Sequence, residues 1–279
     1  MVTLTSEIKA NARLISWAES LRFGCMAVWA ACWTHWKTTT SSFWSLSFLI
    51  GSVPIVAVWG WIAIQTPSPS VLSYLMVGAP LMTIWHSVFF GIVGSLRGEI
   101  NYRTIEFNMI SKTSVLTVLF GRATAMMTFG IPAGIVAVVT MLIVTRQAPE
   151  IASYPWLFAS IVFVFLGLTI TGMFLAPISA LTNRYHGGMF SPLIPIITVL
   201  CGFVFPVSEL PAGLRVLAHF LPSTWAMQSA LQAIQGPDST WAVLSGWFIC
   251  LAVGAAMLLV TIFLYKMVEK RLRLTGLVS

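Results

Sequence analysis

Glu99, Arg103 and Glu106 stand at i, i+4 and i+7. On a helix they share one face, and the pairs Glu99–Arg103 and Arg103–Glu106 can both form. Each pair contributes only about 0.2–0.5 kcal/mol, so the trio steadies a short helix without defining a fold. A compact charged helix of this kind is a handle that a partner protein can grip. A solvated connector would carry the same spacing. His86 is a second candidate, because it lies well inside an apolar run. An imidazole there is either part of a functional path or a neutral ring bonded to a neighbouring helix.

The remaining reactive residues are scattered. His35, His186 and His219 fall in separate regions, and Cys25, Cys32, Cys201 and Cys250 form no CxxC pair. The cysteines read as small packing residues rather than a disulfide framework or a zinc site. No GxxxxGK[ST] phosphate loop, HExxH, GxSxG or clustered carboxylate pair occurs. The chain therefore carries no signature for binding ATP by a phosphate loop, for zinc hydrolysis or for acyl transfer.

The elements that would position these residues are long apolar runs near 43–64, 71–96, 117–145, 154–180, 188–206 and 241–265. A hydrocarbon core about 30 Å thick needs roughly 20 helical residues. Each run must be a helix, since no backbone group in lipid can stay unpaired and alternating barrel strands are absent. The fifth run is short and holds Pro192 and Pro195. Charged residues make up 8% of the chain and hydrophobic residues 58%, against about 25% charged in soluble domains. A water-soluble protein of this length could not cover its surface with so few charges.

The cations set the orientation. With six spans and both termini cytoplasmic, thirteen of the fifteen Lys and Arg fall inside, and only Arg146 and Arg215 fall outside. Positive residues are retained on the cytoplasmic side during insertion. The net charge of +7 flanks apolar spans, so it points to anionic lipid headgroups and not to nucleic acid. The first 40 residues carry acids, bases and four tryptophans, without the pattern of a cleavable signal.

Residues 1–42 form a first unit and 43–279 a second. Leu14, Trp17, Leu21, Cys25, Val28, Cys32 and Trp36 recur every three or four positions, with Arg13, Ser16, Glu19 and Arg22 largely off that stripe. This predicts an interfacial amphipathic helix anchored by Trp17, Trp29, Trp33 and Trp36. Before the last span, residues 206–238 are broken by Pro206, Pro211, Pro222 and Pro237. They predict two short helices on the outer side, a lid or shallow re-entrant element. Pro211 would stand in the first turn of one, and Ser223 or Thr224 would cap the other.

The whole chain resembles the permease subunit of type-2 ATP-binding-cassette exporters. The loop after the second span of that family often has an acid followed by a Gly-Thr-Leu-Glu-like turn; here it is Glu99 with Arg103-Thr104-Ile105-Glu106, and Arg103 replaces the glycine. The family's outer segment is matched by Gly202-Phe203-Val204-Phe205-Pro206, by Leu210-Pro211 and by Leu221-Pro222-Ser223-Thr224-Trp225.

The resemblance implies an all-α polytopic fold of six transmembrane helices in the plasma or inner membrane. It implies a separate ATP-binding-cassette ATPase subunit that holds ATP and Mg, none being held by this chain, and a second permease, identical or paralogous. Glu99, Tyr102, Arg103 and Glu106 become the coupling helix gripped by the ATPase. Phe205, Pro206, Leu221 and Pro222 become an extracellular gate, and His86 a pathway residue. Pro54, Pro80, Pro132 and Pro177 offer bends in four spans. Spans rich in Met and Phe, such as Met126, Met127, Phe129, Phe163 and Phe174, suggest an amphipathic or hydrophobic cargo: a drug, antibiotic or peptide. The competing readings are export of a lipid-linked glycan or lipid, an uncoupled channel or secondary carrier, and a membrane enzyme. No dense series of buried acids and bases supports a proton-coupled carrier, no inverted repeat is evident, and no converging polar cluster supports an enzyme.

Overall fold

The computed structural model describes residues 22, 24–38, 40–41, 43–65, 69–101, 115–149, 151–181, 192–236 and 240–274. These are helical with short connections, and no strand occurs among them. In chain order the helices are α1 (24–38), α2 (Phe43–Gln65), α3 (Pro69–Asn101), α4 (Val115–Thr145), α5 (Tyr154–Leu181), α6 (Leu193–Leu200), α7 (Ala212–His219), α8 (Pro222–Gln235) and α9 (Thr240–Leu274). A single 3-10 turn, Val207–Glu209, stands between α6 and α7.

Four helices among the described residues are long and apolar enough to cross a membrane, at Val71–Gly94, Thr117–Thr145, Tyr154–Leu181 and Thr240–Val268; Ile50–Gln65 is a shorter apolar helix. Together they make a multi-pass membrane protein. The span in α3 is 83% buried within the chain and that in α9 only 17%. Thus α3 is the central helix, packed on α2, α4 and α5, whereas α9 leans on α5 and α8 and leaves most of its apolar surface outward. Trp85, Val88, Ile92 and Leu96 of α3 are sealed in the core. Pro54, Pro80, Pro132 and Pro177 all lie within continuous helices.

The fifth run departs from its expected course. Its described part is helical only over Leu193–Leu200 and then turns; residues 188–191 lie outside the described residues. The stop is a Schellman motif. Gly202 takes φ +75, its N–H reaches the Val199 carbonyl at 3.0 Å, and the Phe203 N–H reaches Thr198 at 3.2 Å. A left-handed glycine followed by a buried aromatic residue ends a helix in this way, so the helix stops at Leu200, six residues before the expected boundary at Pro206.

The 206–238 segment does form two helices, with different starts from those expected. Pro211 precedes α7 rather than standing in its first turn. In α8 the cap position is Leu221, with Pro222 as the first helical residue, so neither Ser223 nor Thr224 is a cap. Proline needs no N–H partner at that position, which frees both hydroxyls for other partners.

The stripe of α1 faces α4. A β-carbon at Gly121 would lie 2.6 Å from the Val28 carbonyl, and Trp36 meets Phe129 edge-on with centroids 6.2 Å apart. The two helices therefore run alongside each other in the same direction. Trp29 and Trp33 are exposed, whereas Trp36 is engaged by α4. Trp17, with the first half of the stripe, lies outside the described residues.

Candidate functional site

Helix α8 begins inside the bundle. Pro222, Ser223, Thr224, Ala226 and Met227 are all buried, an unusual place for a helix start, because its first N–H groups lack intrahelical partners. The room comes from glycines on two neighbours. A β-carbon at Gly167 of α5 would sit 2.6 Å from the Ser223 nitrogen, and one at Gly246 of α9 would overlap the Ser229 hydroxyl. Small residues allow close helix approach where apolar burial gives no drive between helices. Ser229 donates to the Val243 carbonyl at 3.0 Å, tying α8 to α9. The other end of α8 is closed by the α4–α5 connection: Ala152 and Ser153 donate their N–H groups to Ile234 and Ala233 at 3.0 and 3.1 Å.

The freed hydroxyls of α8 reach the end of α6. Thr224 Oγ1 donates to the Leu200 carbonyl at 3.1 Å. Ser223 Oγ and Cys201 Sγ share a hydrogen bond at 2.9 Å. All four residues are buried, and an unpaired carbonyl in an apolar interior costs several kcal/mol. The end of α6 and the start of α8 thus form one hydrogen-bonded junction.

Helix α3 holds the other side of that junction. Tyr74 Oη donates to the Gly202 carbonyl, and Trp85 Nε1 donates to the Ile194 carbonyl at 3.4 Å. Gly78 lies between them; a β-carbon there would overlap the Phe203 carbonyl. Contacts at 74 with 202 and at 85 with 194 make α3 and α6 antiparallel neighbours.

Of the expected gate residues, Leu221 and Pro222 are buried at this junction, whereas Phe205 and Pro206 are half-buried on the connection beyond Gly202. Short α7 leaves Leu214, Val216, Leu217 and Phe220 exposed. Its Arg215 donates to the Ser208 and Leu210 carbonyls at 2.6 and 3.1 Å, and Trp225 Nε1 donates to the His219 carbonyl at 3.0 Å. These bonds fasten α7 across the start of α8.

His86 is half-buried on α3. Its Nδ1 bonds the Met82 carbonyl of its own helix at 3.2 Å, not a neighbouring helix, and its ring lies 6.4 Å from that of Phe90. It stands apart from the α6–α8 junction. The backbone of Glu99 belongs to the last turn of α3. Tyr102, Arg103 and Glu106 lie outside the described residues. The buried Nε2 of His35 on α1 has no hydrogen-bond partner. Among the described residues no group of His, Cys, Asp or Glu is placed to hold a metal ion.

Tyr74, Gly78, Trp85, Gly167 and Gly246 were not anticipated as parts of this site. The available signal was a tyrosine and isolated glycines inside apolar runs, which mark close backbone approach or a buried hydrogen-bond partner.

The arrangement is mechanical. A central helix, its far end leading toward the charged loop, grips α6 and its stop by two carbonyls. The family model for ABC-2 family transporter proteins matches residues 42–263. No curated protein matches the chain.

Proposed function

The chain belongs to the ABC-2 family of transporters, and on that premise we propose that it is the permease subunit of an ATP-driven exporter. The cargo is an amphipathic or hydrophobic compound such as a drug, antibiotic or peptide. ATP and Mg bind a separate ATPase subunit, and a second permease, identical or paralogous, completes the pathway. The protein spans the plasma or inner membrane six times with both termini in the cytoplasm, and residues 1–42 form a unit distinct from the permease body at 43–279.

The observation that carries this reading is the family match over most of the chain. The α3–α6–α8 linkage gives it a mechanism. Glu99, Tyr102, Arg103 and Glu106, at and beyond the end of α3, form the surface that the ATPase pushes. Helix α3 has 33 residues, about 50 Å at 1.5 Å per residue, so displacement at one end is delivered to Tyr74 near the other. There it acts on Gly202 and hence on Phe205, Pro206, Leu221 and Pro222 at the exit. ATP binding shifts the permease only if the motor contacts its inward- and outward-facing forms unequally. Release of the Tyr74 and Thr224 bonds in one form supplies two discrete states. His86, midway along α3, lines the pathway.

A pull-down from mild detergent tests the assignment. The expected result is an ATPase bearing a phosphate loop, recovered with two permease chains. Solute movement by the purified chain alone, without a nucleotide-hydrolysing companion, would overturn it.

A further inference from the structure

Helix α7 ends on a ring pair. The His219 ring lies against that of Trp225, at the start of α8, with centroids 4.9 Å apart and planes tilted by 55°. The contact is doubled through the backbone, since Trp225 Nε1 donates to the His219 carbonyl at 3.0 Å. The pair closes the stretch 219–225, and inside that stretch stand Leu221 and Pro222. Whatever fastens the two rings therefore also restrains the two residues placed at the exit by the proposed function.

The other contact of the imidazole fixes where a proton can go. His219 Nδ1 meets the Arg215 carbonyl at 2.6 Å. A carbonyl only accepts, so Nδ1 carries the hydrogen and Nε2 the lone pair. A proton taken up at Nε2 leaves both existing bonds intact. It puts a cation within about 6 Å of an indole centroid, where the ring quadrupole attracts it. It also puts that charge in the last turn of α7, where a helix end favours positive charge.

Few groups oppose this. Helix α7 packs chiefly on α6, on α8 and on the 3-10 turn. Helices α6 and α8 carry no charged or titratable side chain, and the turn carries Glu209 alone. The other charge on α7 is Arg215, whose guanidinium is engaged by the Ser208 and Leu210 carbonyls. A like charge one turn away on an exposed helix is a weaker effect than a cation beside an indole.

We propose that His219 and Trp225 form a proton-sensitive latch: uptake of a proton by His219 fastens α7 to the start of α8 and holds Leu221 and Pro222 closed. Its role at the exit rests on the exporter reading; the latch itself rests on the ring pair and its two hydrogen bonds.

Hydrogen exchange of the α7 amides in the purified full chain reads the latch, at about pH 8 and about pH 5.5, across the range in which imidazoles change charge. After correction for the intrinsic rate at each pH, wild type should exchange about twofold to fivefold more slowly at the lower pH. His219→Gln should be equally protected at both. Trp225→Phe keeps a ring and loses the Nε1 donor, so it should exchange faster at both pH values and still slow on acidification. Equal protection of wild type at the two pH values, or the same gain in His219→Gln, overturns the proposal. In the complex with its ATPase, ATP should expose the amides of residues 221–225 at about pH 8, and about twofold to fivefold less at about pH 5.5. His219→Gln should remove that difference, and equal exposure of wild type at both pH values overturns the role at the exit. No response to ATP in either protein at either pH counts against the exporter reading, while the α7 amides still decide the latch.

Discussion

Thr224 Oγ1 donates to the Leu200 carbonyl at 3.1 Å, across 24 residues of chain. The bond satisfies one of the carbonyls that the end of α6 leaves unpaired, using a hydroxyl that the start of α8 does not need for capping. Two helix ends thus complete each other inside the protein, where water cannot.

Thr224→Val keeps the shape and removes the donor. It should cost about 1–3 kcal/mol, the penalty of a buried carbonyl left unsatisfied. Thr224→Ser should recover most of the loss. Thermal melting in detergent checks this, and equal midpoints for all three proteins would show the bond to be idle.

Tyr74→Phe removes the hydroxyl bound to the Gly202 carbonyl. A loss of about 1–3 kcal/mol in stability is expected. If α3 transmits motion to the exit, this variant should also hydrolyse ATP with its partner while moving less cargo. Unchanged transport per ATP would remove Tyr74 from the lever.

Gly167→Ala places a methyl group 2.6 Å from a backbone nitrogen of α8. Backbone cannot yield as a side-chain tip can, so about 1–3 kcal/mol of destabilisation is expected. Gly94→Ala on α3 meets nothing within 4 Å and should be neutral or stabilising by up to about 1 kcal/mol. Comparing the two melts separates the slot from general glycine effects.

Glu106→Arg reverses a charge on the proposed coupling surface. Transport by the complex should fall about tenfold, within the range typical of coupling between sites. Normal ATP turnover and normal transport together would show that this residue is not the contact.

Two helix boundaries show how legible the fold was. The apolar runs at 71–96, 117–145 and 154–180 became α3, α4 and α5 nearly at the expected ends, because twenty or more apolar residues in lipid admit one solution. The fifth run did not. Gly202 and Phe203 were read as part of an apolar stretch, yet together they carry a helix stop that depends on backbone conformation as much as on composition. Likewise Ser223 and Thr224 had the composition of caps, and Pro222 displaced them by one position.

The residue order by itself determined that this protein lives in a membrane, roughly where its long apolar helices run, and that the sequence carries no phosphate loop; hydropathy, charge placement and motif absence are local properties. Only the tertiary structure decided that α3 grips α6 through Tyr74 and Trp85, that Gly167 and Gly246 open a slot for α8, and that α1 lies along α4. Those relationships join residues tens of positions or more apart. In an apolar medium they depend on which backbone groups approach closely enough to pair, and no periodicity in the sequence encodes that distance.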